Sequence, residues 1–227
     1  MCSSDLPEPL LAATGRHILE FSDLPVNHLE FDGYVTLNGQ LCLDRNRKLF
    51  YGNPIAPEDA KRLILVFERR EMPVMIVEKD RMYLNFVNDA VRRAQADIST
   101  PVPETGVYTG EEIYQFILYD RGWEADELVR TLNQSRMIRW HERAVDVIPE
   151  KGGKVAGIRR FLEDCSISQE EIMAFGDGEN DMDMLKFAGT GIAMGNADTQ
   201  VKAIADEVTE SVDENGVVRA LYRHGLL

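Results

Sequence analysis

The chain has 227 residues, 44% of them apolar, which is enough for a real core in one or two domains. It carries 25 basic and 39 acidic residues, a formal net charge of −14. Such a field repels nucleic acid and anionic membranes, so neither is expected as a partner.

Residues 10–14 read as a short buried strand, and 16–24 as a helix with Ile18, Leu19 and Phe21 apolar. A strand at 34–37 runs into the turn signal Asn38-Gly39. Segments 41–43 and 48–51 read as a hairpin around Asp44-Arg45-Asn46. Pro57-Glu58-Asp59 opens a helix reaching about residue 70, with proline in the first turn and acids at the positive helix end. The middle block continues as strand 74–77, helix 88–95, strand 113–119, helix 125–133 and strands 137–140 and 144–148. It reads as an α/β module of its own. From Lys154 the pattern is helix 154–164, strand 172–175, helix 181–187, strand 190–194, helix 197–204, a short strand at Glu207-Val208 and a last helix from about Val217. Alternation of this kind predicts a parallel sheet covered on both faces, with the middle block inserted between its two halves.

Three segments carry chemistry. In 175–185 (FGDGENDMDML) an apolar strand feeds a Gly-Asp turn, and a second Asp follows four residues later. Asp177 and Asp181 can face one point at a strand's C-terminal end, as a Mg²⁺ site requires. Alone, such a string is more often an acidic helix cap; the apolar strand before it shifts the balance. An EF-hand fails, because its glycine position holds Met182. Lys154 follows Gly152-Gly153; a Walker loop fails at Ile148 and Val155, while a point-charge contact to phosphate remains open. Thr14 ends the strand in Ala12-Ala13-Thr14-Gly15-Arg16, a hydroxyl beside a glycine. His17, His28, His141 and His224 show no ligand spacing, and no GxSxG elbow occurs. Cys2, Cys42 and Cys165 form no CxxC, so a disulfide framework or a zinc site is not indicated, and a reducing cytoplasm is expected. No apolar run approaches the roughly 18 residues of a membrane span.

In company and in order, AATGR (12–16), TLNG (36–39), VIPEKGGKVAGI (147–158), FGDGENDMDML (175–185) and GIAMGNA (191–197) resemble the haloacid dehalogenase-like hydrolases, in particular the Cof-type IIB sugar-phosphatase-like branch. The resemblance implies an α/β fold: a Rossmann-like parallel core from 1–54 and 146–227, with an inserted α/β cap at 55–145 that selects the substrate. It implies a Mg²⁺-dependent phosphatase of small phosphorylated metabolites, acting through an aspartyl-phosphate. Thr14 and Lys154 would hold the phosphoryl group as catalytic residues, and Asp177 and Asp181 would hold Mg²⁺. Asn180 would orient the phosphoryl loop and the lysine, and Arg16 and Asn38 would join it at the substrate.

The family opens on an apolar strand ending Asp-x-Asp-Gly-Thr, whose first Asp is the nucleophile. Here Asp5 follows no apolar strand, so the nucleophile and the first core strand are expected to be absent from this chain. The opening Met-Cys-Ser-Ser-Asp-Leu reads as a translated library adapter joined to a shortened gene, which predicts that the native gene runs upstream into that strand. For the chain itself two readings stand: an inactive relative of a phosphatase, or a non-catalytic binder of metal and phosphometabolite. The substrate and the oligomeric state stay open.

Overall fold

The computed structural model describes residues 9–120 and 122–227; Asp5 lies outside them. Strand β1 (Leu11–Ala13) pairs in parallel with β2 (Gly33–Thr36), and the sheet continues antiparallel through β3 (Leu41–Asp44) to β4 (Leu49–Gly52). The middle block holds α1 (Pro57–Arg69), β5 (Val74–Glu78), β6 (Met82–Leu84), α2 (Asp89–Asp97), β7 (Ile113–Tyr119), α3 (Glu124–Arg130), β8 (Ser135–His141) and β9 (Ala144–Pro149). Its five strands form an antiparallel sheet in the order β6-β5-β7-β9-β8. After it come α4 (Lys154–Cys165), β10 (Met173–Gly176), α5 (Met182–Phe187), β11 (Thr190–Ala193), α6 (Thr199–Ile204), β12 (Glu207–Val208) and α7 (Gly216–Arg223). β10, β11 and β12 make an all-parallel sheet.

Most elements lie where the apolar periodicity puts them. Two differ. Residues 16–24 form a 3-10 turn, Ile18–Asp23, rather than an α-helix. The His17 ring accepts the Leu19 N–H, Glu20 caps the His17 N–H, and Pro25 ends the turn before a helix can propagate. β6 was not foreseen: it is three residues long, and the Lys79-Asp80-Arg81 turn before it lacks glycine.

The parallel core is in two pieces. Among the described residues β1 is the end strand of its sheet and β10 the end strand of its own, and they share no ladder. Side chains join what the backbone does not. Val35 and Cys42 from the first sheet share one apolar cluster with Ala174 and Ala193 from the second, through Ile158 and Phe161 of α4 and Met184 and Leu185 of α5.

The middle sheet buries both faces. One packs on α1 and α3 through Leu63, Phe67, Ala125 and Val129. The other packs on α2 and also on Leu37 and Leu41 of the first sheet's segment, so this module sits directly on the rest of the chain. Among the described residues no helix is long and apolar enough to cross a membrane.

Candidate active site

The chemistry gathers at the C-terminal ends of β1 and β10, where open α/β sheets bind ligands. Past β10 the chain makes a tight turn, 3-10 at Glu179–Asp181, before α5 begins. Gly176 is required there: a Cβ on it would lie 2.5 Å from the Asp181 Cβ. The Asp181 carboxylate folds back over the turn. Its Oδ2 accepts the backbone N–H groups of Asp177 at 3.1 Å and Gly178 at 3.0 Å. Its Oδ1 takes the Lys154 ammonium at 2.5 Å. Both side chains are buried, 6% and 9% exposed, so this is an ion pair shielded from water. Lys154 comes from elsewhere in the sequence: it is the first residue of α4, set there by the Gly152-Gly153 turn that follows β9.

Past β1, Thr14 lies partly buried. Its Oγ1 accepts the Arg16 N–H at 3.1 Å, which leaves its own proton free to donate. The Thr14 carbonyl accepts the Asn38 N–H at 3.0 Å. Asn38 in turn accepts from the Asn180 Nδ2 on its Oδ1 at 3.2 Å, so the two strand ends meet through side chains. Thr14, Asn38 and Asn180 thus form one hydrogen-bonded set and Lys154, Asp181 and the Asp177 N–H another, and adjacency of Asn180 and Asp181 in the chain joins the two into one web.

Two sequence candidates sit differently from the rest. The Asn38 amide is 1% exposed and engaged at both ends by protein, with its Nδ2 donating to Asp146 Oδ2 at 2.9 Å. Arg16 is turned to the C-terminal end of α2, where it donates to Thr100 Oγ1 at 2.8 Å and the Ile98 carbonyl at 3.4 Å. Both residues tie the middle module to the strand ends.

Sequence reasoning missed two participants. Asn196 donates from Nδ2 to Asp177 Oδ2 at 2.7 Å and so orients that carboxylate; its signal was its place in the GIAMGNA stretch (191–197), from which no role was drawn for it. Asp146 is a lone acid in the apolar strand β9, and that contrast was the available signal. His17, given no role from sequence, is buried between the segments. Its Nδ1 accepts the Leu19 N–H, so the ring proton sits on Nε2 and donates to the Glu78 carbonyl at 3.0 Å. Burial lowers its pKa and keeps it neutral. A surface hollow of about 450 Å³, lined by Val66, Met72, Phe86 and Asp120 among others, contains none of these residues.

The sequence model of the haloacid dehalogenase-like hydrolases matches residues 9–221. The chain belongs to that family. This hydrolase is 33% identical over 205 residues to YkrA of Bacillus subtilis (strain 168), a protein carrying phosphatase as its provisional name, covering 89% of this chain and 79% of that one. Its fold matches BT1666, a phosphatase of the superfamily from Bacteroides thetaiotaomicron, with a TM-score of 0.83 at 29% identity, covering 96% of this chain and 82% of that one. It matches BT4131, described as a subclass IIB sugar phosphatase, with a TM-score of 0.82 at 30% identity, over 96% of this chain and 86% of that one. The hydrolase is therefore of the Cof-type IIB branch, and by family a phosphatase. Phosphatases of this superfamily generally use a divalent metal.

The donor set fits such an ion in a limited way. Asp177 is exposed, and its Oδ1 has no hydrogen-bond partner among the described residues, so one hard oxygen is open. Both Asp181 oxygens are already engaged by protein donors. Among the described residues no group of three His, Cys, Asp or Glu converges. Mg²⁺, which keeps several waters and takes one or two carboxylates, suits this set better than an ion that needs an all-protein cage.

The buried Asp146 carboxyl predicts a pH dependence of stability. Burial pushes its carboxyl from the ordinary 3.8 up to about 7, against the opposing hydrogen bonds from Trp140 and Asn38, while the charge of Glu20 adds to the rise. A raised folded-state pKa means that its contribution to stability is complete below 3.8 and lost as pH rises through about 7. Asp146→Asn, which cannot ionise, should therefore gain on the native protein by about 2–5 °C in Tm per pH unit between about pH 4 and 7, and hold that gain above 7. Melts at pH 4.5, 5.5, 6.5 and 8 check this; a Tm difference constant from pH 4.5 to 6.5 would show that the Asp146 carboxyl is not raised as described.

Proposed function

We propose that this hydrolase binds phosphate monoesters of small metabolites, sugar-phosphate-like in class, with Mg²⁺ as the accompanying ion. The observation that carries the reading is the single web joining Thr14, Asn180, Asp181 and Lys154 across two strand ends, with Asp177 open beside it. The Lys154 ammonium would neutralise phosphoryl oxygens, the free Thr14 proton would donate to one of them, and Asn180 would hold the loop that carries both acids. Asp177 would bind the metal directly and Asp181 through water. Bound there, the ion would screen phosphate charge against an approaching carboxylate. The module at 55–145 would act as the cap over bound substrate. Relatives support the substrate class: pyridoxal phosphate phosphatase YbhA of Escherichia coli (strain K12) is 39% identical over 85 residues, which is 37% of this chain.

Binding and turnover separate in this reading. Asp177 and Asp181 are the acids of the web, and neither is placed as an attacking nucleophile. The chain would then bind ligand and fail to form a phosphoenzyme. Calorimetry with inorganic phosphate and Mg²⁺, beside a p-nitrophenyl phosphate assay, tests both parts. The expected result is phosphate binding that Mg²⁺ strengthens, weak Mg²⁺ binding that Asp177→Ala lowers further by about tenfold, and turnover at background. Mg²⁺ binding unchanged in Asp177→Ala would refute the metal placement. Turnover that vanishes in Asp177→Asn would show that another residue attacks, and Asp5 would be tested first.

A further inference from the structure

Asn38 lies in a backbone that resists its own shape. Leu37, Asn38 and Gly39 have φ of 50°, 53° and 91°, three consecutive residues in the left-handed region. A bulky Leu there is a steric outlier, and such strain persists only where the surroundings over-determine it. Here they do. The Leu37 N–H donates to the Arg16 carbonyl at 3.1 Å, the Asn38 N–H to Thr14, and Gln40 Nε2 to the Asn38 carbonyl at 3.0 Å. Gly39 passes so near α4 that a Cβ on it would lie 2.1 Å from the Gly153 carbonyl oxygen. The turn holds the Asn38 amide at one place between two partners.

Those partners are unequal. On one side stands Asp146 of β9, its other oxygen taken by Trp140 Nε1 at 2.8 Å. Ionised, above about pH 7, the Asp146 carboxylate only accepts, so the Asn38 Nδ2 must face it. The Asn38 Oδ1 is then turned to Asn180, which must answer with its own Nδ2. The direction of each amide follows from the one before it, and the series starts from a charge in the middle sheet. Asn180 immediately precedes Asp181, the partner of Lys154.

We propose that Asp146 and Asn38 are positioning residues: the β9 carboxylate sets the orientation of the Asn38 amide, which sets that of Asn180, so the phosphate-binding loop takes its geometry from the module packed above it. This rests on the phosphate-site reading given above. It goes beyond a tie between two segments, because a tie needs the hydrogen bonds made in either direction, whereas positioning needs one direction.

That difference is testable. In Asp146→Asn, Trp140 still donates to the new Oδ1, while the new Nδ2 faces Asn38. The Asn38 and Asn180 amides can then both reverse, so every bond survives with its direction inverted. Combining Asp146→Asn with Asn38→Asp restores the original orientation at Asn180, since both oxygens of the new Asp accept. The measurements, at pH 8 where Asp146 is ionised, are inorganic phosphate affinity with Mg²⁺ by calorimetry, Tm, and the Asn180 side-chain amide resonances by NMR. Asp146→Asn should melt no lower than the native protein, bind phosphate about tenfold more weakly, and shift the Asn180 resonances. The double variant should bind at least about threefold tighter than Asp146→Asn and return the resonances toward native. Phosphate affinity unchanged in Asp146→Asn, or a double variant no tighter than it, overturns the proposal. If the native chain binds no phosphate, the functional reading falls, and Asn180 alone decides the inference: resonances shifted in Asp146→Asn and returned in the double variant support it, and resonances unmoved in Asp146→Asn overturn it.

Discussion

Amide exchange in the two parallel pieces should alternate along the strand, with about a thousand-fold contrast against the middle sheet. The Thr14 N–H donates to the Val35 carbonyl, and the Ile172 and Gly176 carbonyls accept from Thr190 and Met194. In a parallel ladder alternate residues address the same neighbour. The N–H groups of Ala12, Ala174 and Gly176 therefore face paired strands, and those of Leu11, Ala13, Met173 and Phe175 face the open sides of β1 and β10. Nothing in the ladders protects these four, and an unpaired amide away from water costs about 1–3 kcal/mol. In the middle sheet, Ile76, Phe116 and Val147 lie in strands paired on both sides and should exchange only on global opening. Exchange followed by mass spectrometry or NMR reads this residue by residue. Equal, slow exchange at Met173, Ala174, Phe175 and Gly176 would mean that β10 is covered on its open side. An end strand of a parallel sheet is also a template for association, so the same open sides are where aggregation should begin.

Lys154→Met should be the most damaging single change at the site. It removes the partner of a carboxylate that is 9% exposed, leaving Asp181 with two backbone N–H donors and no counter-charge. Breaking a buried pair from one side costs about 3–5 kcal/mol, which is a Tm loss of about 10 °C for a chain of this size. Phosphate binding should disappear with the ammonium. The pair Lys154→Met with Asp181→Asn separates the two effects: the neutral Asn still accepts from the Asp177 and Gly178 amides, so stability should partly return while phosphate binding does not. A Lys154→Met protein melting within about 2 °C of the native one would show that the pair is not shielded as described.

Local rules made much of this chain legible. Apolar runs bounded by turn residues mark β7, β10 and β11 within a residue or so, because their burial on both faces leaves a continuous apolar signature. Pro57 and the acids after it mark the start of α1, since capping chemistry is local. Resemblance in short motifs singled out Thr14, Lys154, Asp177, Asp181 and Asn180 as candidates, and these lie together at the ends of β1 and β10. What the Asn38 and Arg16 side chains touch was not legible, because their partners, Asp146 and Thr100, lie 108 and 84 residues away in the chain. Neither spacing nor periodicity carries the direction of a hydrogen bond between strand ends.

The sequence by itself determined the α/β alternation, the inserted middle block, the acidic turn after β10 and the family. Tertiary structure alone decided that Lys154 and Asp181 are a shielded pair, that Asn196 aims Asp177, and that a carboxylate in the middle sheet reaches the site through Asn38. It also decided that the core sheet stands as two pieces joined by side chains. The physical reason is one of range. Periodicity, caps and turns are settled within a few residues, whereas pairing between strand ends and the burial of a charge depend on surfaces that exist only once the modules have packed.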